Sequence, residues 1–423
     1  MKSLSLLKRR QFAAYFWTQF FGAFNDNFFK NALVILITFH AAEKLAVQAS
    51  ILVTLAGGIF ILPFFLFSAT AGQIAEVSEK ARLMQKIKFF EIAIMLLAVY
   101  GFLMDQIYFL LLVLFLMGFQ STIFGPVKYS VIPQIVEKQE LLSANAIVEL
   151  GTFLAILLGT LLGGIAIIDK DIGVYLVSAG VLLFAGIGLL SSLLLKPIPA
   201  LSSGFSIGFN PFTESKKILK HLGQNDYVFY GVIGISWFWL LGASYLSLFP
   251  SYTKEYLLGN EYVVNLLLTC FSVGIGLGSL ICEKISKGMV GFRFVPMAML
   301  GMSLCGMLLY WFSPDKSSAA NLYSLTIFLQ NAKYFVILLS LLLFALFGGL
   351  YIVPLYSMVQ KYSDPKVLSR VIAGNNILNA LFMVVASVII ITLLKAQLSI
   401  PQIFAILSIG NLVIAYLLIR KLK

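Results

Sequence analysis

The stretch Phe21–Asn31, FGAFNDNFFKN, places a carboxylate, an ammonium and three amides inside an apolar run from Phe12 to Phe39. That run is long enough to cross a bilayer, for which a helix needs about 20 residues. A charge at mid-bilayer costs on the order of 3 kcal/mol, so the cluster demands a reason. On a helix turning about 100° per residue, Gln19, Asp26 and Lys30 fall within about 40° of one another. Asn27 and Asn31 extend the same face, whereas Asn25 points elsewhere. Asp26 and Lys30 stand at i and i+4 and can pair. A structural ion pair would explain the two charges and leave the amides without purpose. A cavity face that meets a polar substrate explains both.

The rest of the chain supplies the context. Of its 423 residues, 60% are hydrophobic and 11% charged, with a mean hydropathy of +0.96. Soluble chains are nearer half apolar and a quarter charged. An all-α integral membrane protein is expected, because lipid leaves helices to satisfy their own backbone. Twelve spans are expected, with cores near Phe12–Phe39, Gln48–Ala75, Ile87–Met104, Tyr108–Phe124, Ala144–Ile168, Gly173–Leu195, Tyr227–Pro250, Tyr262–Cys282, Phe292–Phe312, Tyr334–Val353, Val371–Leu394 and Ile400–Ile419. Met1–Arg10 is basic, but the run behind it is too long for a removable signal peptide and lacks a small-residue cleavage site.

Six spans lie on either side of a polar stretch. The expected organisation is a six-helix bundle over residues 1–195, a linker over 196–225 and a second six-helix bundle over 226–423. In the linker, Asn210 is placed to cap a short helix with Pro211 at its first position. Phe212, Ile218, Leu219 and Leu222 against Lys216, Lys217 and Lys220 make that helix amphipathic and suited to a membrane surface. Twenty-three of the 30 Lys and Arg residues fall on the linker side of the spans, six on the other, and Lys30 within a span. The positive-inside rule then puts both termini and the linker in the cytoplasm. The net charge of +12 reads as a basic rim facing anionic headgroups, with no need of nucleic acid. Cys270, Cys282 and Cys305 suggest neither disulfide nor metal site; no cofactor is expected.

The halves repeat weakly. The segment from Phe124, FGPVKYSVIPQ, resembles FGGLYIVPLYSM from Phe347, which aligns Asn145 with Asn375 and Glu149 with Asn379. Gly72, Glu76, Lys80 and Arg82 follow span two with the spacing of the loop motif of the major facilitator superfamily, although Val77 stands where that motif has a basic residue. With six plus six spans, the resemblance implies the superfamily's fold of 12 transmembrane helices in two six-helix bundles.

Further polar groups mark other spans. Asn145, Glu149 and Thr152 share about 60° of span five, and Glu149 has no basic partner in its own span; Lys128 or Lys30 could supply one. Span eleven carries Asn375, Asn376 and Asn379, and span seven Trp237, Trp239 and Tyr245. Glu91, three residues after Lys88, reads as structural and near the rim. Ala155, Gly159 and Gly163 in span five, and Gly274, Gly276 and Gly278 in span eight, have spacing that lets backbones touch. In the superfamily's fold those spans face each other, which would suit a gate. One carboxylate, one or two ammoniums and several amides suit a zwitterion, with Lys30 or Lys128 for a phosphate and Asp26 or Glu149 for an amine. Phe20, Phe21, Phe24, Phe28 and Phe29 offer an apolar wall beside them.

Taken together, QFFGAFNDNFFKNAL, FGPVKYSVIPQ, LLSANAIVELGTFLAILLGTLLGG, SWFWLLGASYLSLFPSYTKE, SVGIGLGSLICEK and RVIAGNNILNALFMVVAS resemble the lysophospholipid transporter family, above all its version fused to acyltransferase and acyl-carrier-protein synthetase domains. The resemblance implies a transporter that flips lysophosphatidylethanolamine, with lysophosphatidylglycerol as a second candidate, inward across a bacterial inner membrane for reacylation. A cytoplasmic acyltransferase or acyl-carrier-protein synthetase is then the expected partner; with the chain ending at Lys423, the fused domains are expected to be either absent or cut away from it. By the same resemblance Asp26, Asn27, Lys128 and Glu149 line the headgroup path. Stand-alone members carry an Arg in span seven where this chain has Tyr245, which leaves Lys30 as the candidate for the phosphate. Three other readings compete. A proton-coupled drug or metabolite carrier would use Asp26 and Glu149. A membrane acyltransferase would use His221 and Asp226, whose linker leaves no room for a catalytic domain. A non-transporting scaffold for an acyltransferase is the third.

Overall fold

A computed structural model describes residues 2–40, 49–169, 171–202, 207–286, 289–317 and 322–422. A short α1 (Lys2–Leu6) precedes the first long helix, α2 (Arg10–Ile35), which ends in a π turn at Leu36–His40. The chain continues through α3 (Ala49–Val77), α4 (Lys80–Leu103), α5 (Ile107–Ile135), α6 (Leu141–Ile167) and α7 (Gly173–Leu193). After α8 (Pro211–Leu222) come α9 (Asp226–Glu255), α10 (Glu261–Ser286), α11 (Val295–Phe312), α12 (Leu325–Gln330), α13 (Lys333–Tyr362), α14 (Leu368–Lys395) and α15 (Ile400–Leu422). Leaving aside α1, α8 and α12, twelve helices of 18 residues or more remain among the described residues, each at least about 27 Å long. Ten of them are also apolar enough to span a bilayer by composition alone. The two that fall short, α2 and α4, carry Asp26 and Lys30 and the Lys88–Glu91 pair. Several helices outrun their expected cores. Lys128, expected just beyond span four, lies inside the 29-residue α5.

The helices sort into two compact units whose borders cut through α6 and α14. Unit 1 holds Met1–Lys138, Leu154–Gln224 and Ser363–Ala380, and unit 2 holds Gln139–Phe153, Asn225–Tyr362 and Leu381–Lys423. Span five thus begins in unit 2 and ends in unit 1, and span eleven, its counterpart in the internal repeat, does the reverse.

In unit 1 the core is aromatic and close-packed. Phe24 of α2 lies 4.3 Å from Phe184 of α7, ring centre to ring centre, and Phe28 lies 5.4 Å from the same ring. A Cβ at Gly159 or Gly163 of α6 would collide with the backbone of Phe24 or Phe28 in α2. In unit 2 a Cβ at Gly274 or Gly278 of α10 would strike the backbone of Leu342 or Leu346 in α13, and Gly349 of α13 answers against Ile275. The two small-residue stripes are therefore spent inside their own units, on α2 and α13. Spans five and eight nevertheless meet within unit 2, where the Ser143 hydroxyl of α6 donates to Glu283 of α10 at 3.1 Å. Of span eight's glycines, Gly276 faces α6, through Leu150. Large apolar side chains such as Ile165, Leu190, Leu304 and Val413 stand exposed on the outer faces, as lipid contact requires.

The linker helix forms as its sequence predicts. Asn210 Oδ1 accepts from the amides of Phe212 and Thr213, both at 3.1 Å, with Pro211 in the first turn. Its buried face rests on α3 and on the unit 1 part of α14, where Ile218 joins Ala69, Ala373 and Ile377.

Candidate functional site

The polar face of α2 lies in unit 1, and its four foremost groups, Asp26, Asn27, Lys30 and Asn31, are half-buried. The i, i+4 pair expected from the spacing does not form. Asp26 Oδ2 accepts instead from the Ser121 hydroxyl of α5 at 2.5 Å. Lys30 Nζ donates to Asn27 Oδ1 at 3.2 Å and lies 5.5 Å from the centre of the Phe60 ring of α3. Asn27 is held by the carbonyl of Ala23 at 2.7 Å, and Asn31 by that of Thr160 in α6 at 2.7 Å. Each group is thus fixed by a different neighbour, and two opposite charges one helical turn apart, about 6 Å, remain apart beside an aromatic wall.

Beneath this face lies a closed ionic core. Lys88 and Glu91 of α4 form an ion pair at 2.6 Å with side chains 1% and 3% exposed. Glu91 also accepts from Asn25 of α2 at 3.1 Å and from Gln120 of α5 at 3.2 Å. That explains Asn25, which points away from the Asp26 face and into this core. A Cβ at Gly22 would lie 2.6 Å from the Lys88 ammonium and one at Gly188 3.3 Å from it. Two glycines on α2 and α7 therefore make room for a cation that could otherwise not enter. Glu91 was expected near the rim; it and Lys88 instead lie in the interior of unit 1, where added hydrogen bonds offset the desolvation that makes such pairs costly. The open face and the closed core are joined: the Ser121 Oγ that serves Asp26 lies 3.1 Å from Gln120 Oε1. Gln120 and Ser121 escaped the sequence reading. Their signal was a polar dipeptide in the middle of an otherwise apolar span.

The other expected residues divide between the units. Lys128 is half-buried in unit 1, its ammonium 5.0 Å from the Tyr129 ring centre. Asn375 and Asn379, on the unit 1 part of α14, are 0% and 9% exposed, and neither amide atom of Asn375 has a hydrogen-bond partner among the described residues. In unit 2, Asn145 donates to Gln360 at 2.5 Å and to Ser357 at 3.2 Å, and Glu149 is fully buried. Tyr245 is fully buried too, stacked 4.7 Å from Phe404 and 4.4 Å from Phe344. It packs the core of unit 2.

The loop motif converges on α14 within unit 1. Gly72 lets Ala373 and Arg370 approach, since a Cβ there would lie 2.5 Å from the Ala373 methyl. Glu76 accepts from Arg370 at 2.7 Å. Lys80 donates to Ser369 at 2.9 Å and to Ser130 at 3.2 Å. Arg82 takes no part; its side chain is 80% exposed and 3.8 Å from Glu79, which caps α4.

Twelve long helices, ten of them apolar enough to span a bilayer, with a half-buried ionic face on α2, define a multi-pass membrane protein. Comparison with known proteins agrees and goes further. The pattern described as Major Facilitator Superfamily matches residues 15–332, and the chain belongs to that superfamily. Among characterised relatives it is similar to the lysophospholipid transporter LplT of Cronobacter sakazakii, 26% identical over 305 residues, 72% of this chain and 70% of the relative. LplT of Yersinia pestis (strain Pestoides F) is 25% identical over 358 residues, 84% of this chain and 79% of the relative. Among solved structures the human organic anion transporter MFSD10 matches with a TM-score of 0.75 at 14% identity, over 97% of this chain and 99% of that one. The transporter FucP matches with 0.73, also at 14% identity, over 98% and 100%.

Proposed function

We propose that this protein carries lysophospholipids of the lysophosphatidylethanolamine type inward across a bacterial inner membrane, by alternating access, for reacylation by a cytoplasmic acyltransferase or acyl-carrier-protein synthetase. The relatives' named activity supports the substrate class, and the Lys and Arg bias supports cytoplasmic termini. The observation that carries the reading is the separation of Asp26 from Lys30 on one half-buried face. Lys30 offers a point charge to a phosphate and Asp26 a carboxylate to an amine, while Phe60 continues the face with apolar surface for the start of an acyl chain. Asn27 and Asn31 flank the pair. Lys128, Asn375 and Asn379, all of unit 1, belong to the same reading as later contacts along the path.

The test is uptake of labelled lysophosphatidylethanolamine into protein-containing vesicles. Asp26→Asn and Lys30→Gln should each raise KM about tenfold or more, since a charge-assisted hydrogen bond contributes ~1.5–3 kcal/mol. Full uptake by both variants at normal protein levels would refute the assignment. One observation favours a second reading, a proton-coupled carrier: the chain of polar groups from Asp26 through Ser121 and Gln120 to Glu91. Substrate-dependent alkalinisation outside the vesicles would support it.

A further inference from the structure

A groove of about 490 Å³ runs between α3 and α8, far along the chain from the α2 face. Phe65 and Leu66 of α3 and Phe212 and Leu219 of α8 form its apolar walls, and Lys216 and Lys220 stand at its edge. All six belong to unit 1. Phe212 is 71% exposed, an unusual state for a phenylalanine on a polar helix, and Phe209 just before it is 77% exposed. The opposite face of α8 is fully engaged: Glu214 accepts from Gln73 at 2.6 Å, and Ile218 and Leu222 pack on Gly374. So α8 is held firmly against α3, with Phe212, Lys216 and Lys220 all lining the groove. Phe212, Lys216 and Lys220 stand at i, i+4 and i+8, one above another over about 12 Å.

The charges decide what fills the groove. Lys217 is paired with Glu214 at 2.7 Å. Lys216 and Lys220 have no carboxylate partner among the described residues, so the edge of the groove carries two uncompensated positive charges. We propose that the α3–α8 groove binds an anionic membrane phospholipid, its phosphate between Lys216 and Lys220 and one acyl chain along Phe65, Leu66 and Phe212. A zwitterionic lipid would bring its own ammonium to two lysines and gain little. A lipid seated there touches both α3 and α8. The site is separate from the α2 face and does not depend on what that face transports.

The test uses the full chain with Phe212→Trp, in bilayer discs of phosphatidylcholine doped with brominated phosphatidylglycerol or brominated phosphatidylcholine. The quench is read against the parent protein, which holds four tryptophans of its own. Brominated phosphatidylglycerol should quench the emission of the introduced tryptophan at about 30-fold lower mole fraction, the equivalent of ~1 kcal/mol for each lysine at a membrane surface. Adding Lys216→Gln and Lys220→Gln should abolish the preference and leave a weak quench common to both lipids. Equal quenching by the two lipids in the lysine-bearing protein, or a preference that survives loss of both lysines, overturns the proposal. So does the absence of any quench. Lysolipid uptake by the double-Gln protein, measured in parallel, separates the two claims, since loss of the lipid preference with uptake intact concerns this groove alone.

Discussion

The ionic core beneath the α2 face can be taken apart by a double-mutant cycle on Lys88 and Glu91. The two side chains are almost wholly enclosed, at 1% and 3% exposure, and 2.6 Å apart. Removing one charge strands the other, which typically costs 3–5 kcal/mol, while replacing both by neutral groups of similar size is far milder. Glu91→Gln leaves the Lys88 ammonium between Gly22 and Gly188 with no counter-charge. Lys88→Met leaves a buried carboxylate with Asn25 and Gln120 as its donors. Each single variant should therefore lose about 3–5 kcal/mol. The double variant Lys88→Met/Glu91→Gln keeps an acceptor for the two amides and carries no stranded charge. It should lose no more than about 1–3 kcal/mol, the worth of one or two imperfect hydrogen bonds. Thermal unfolding in detergent, followed by tryptophan fluorescence, to which the half-buried Trp237 and Trp239 contribute, measures all three. Losses that add in the double variant would refute the argument that the pair acts as one closed unit. Uptake assays divide the remaining question: a stable double variant that transports normally makes the pair scaffold, and one that is stable but inactive makes it part of the working site.

Three further outcomes are expected. Gly278→Ala should destabilise unit 2 by ~1–3 kcal/mol, because the new methyl meets the backbone of Leu346 rather than a side chain that can turn away; an unchanged melting temperature would contradict it. Arg370→Met should free the first turns of α14 from α3 by leaving Glu76, 3% exposed, without its guanidinium, seen as faster amide exchange over residues 363–375. The hydrogen bond from Lys217, with a second from Gln73, holds the Glu214 carboxyl below the usual carboxylate range. A depressed folded value means that this stabilisation is complete above the ordinary carboxylate pKa and is lost as pH falls through the depressed one. Amide exchange of α8 should accelerate in acid, and Glu214→Gln should remove that dependence; an α8 indifferent to pH in the parent would sink this account.

Much of the architecture was local enough to be legible. Lipid forces each crossing to satisfy its own backbone, so twelve long helices follow from twelve apolar runs. The linker helix follows from Asn210, Pro211 and an alternation of apolar and basic residues, all within one short segment. The periodicity of α2 also identified which of its residues share a face. What it could not identify was the neighbour covering each face. Asp26 finds Ser121, 95 residues away, and Asn25 finds Glu91, 66 residues away. The spacing of the glycines of α6 and α10 marked close approach but not its partners, which are α2 and α13. Tyr245, counted with the polar groups of span seven, lies fully buried between Phe344 and Phe404. Helix formation depends on hydrogen bonds four residues apart and on the solvent. Helix pairing depends on side-chain shape between segments far apart in the chain, and no single segment encodes that.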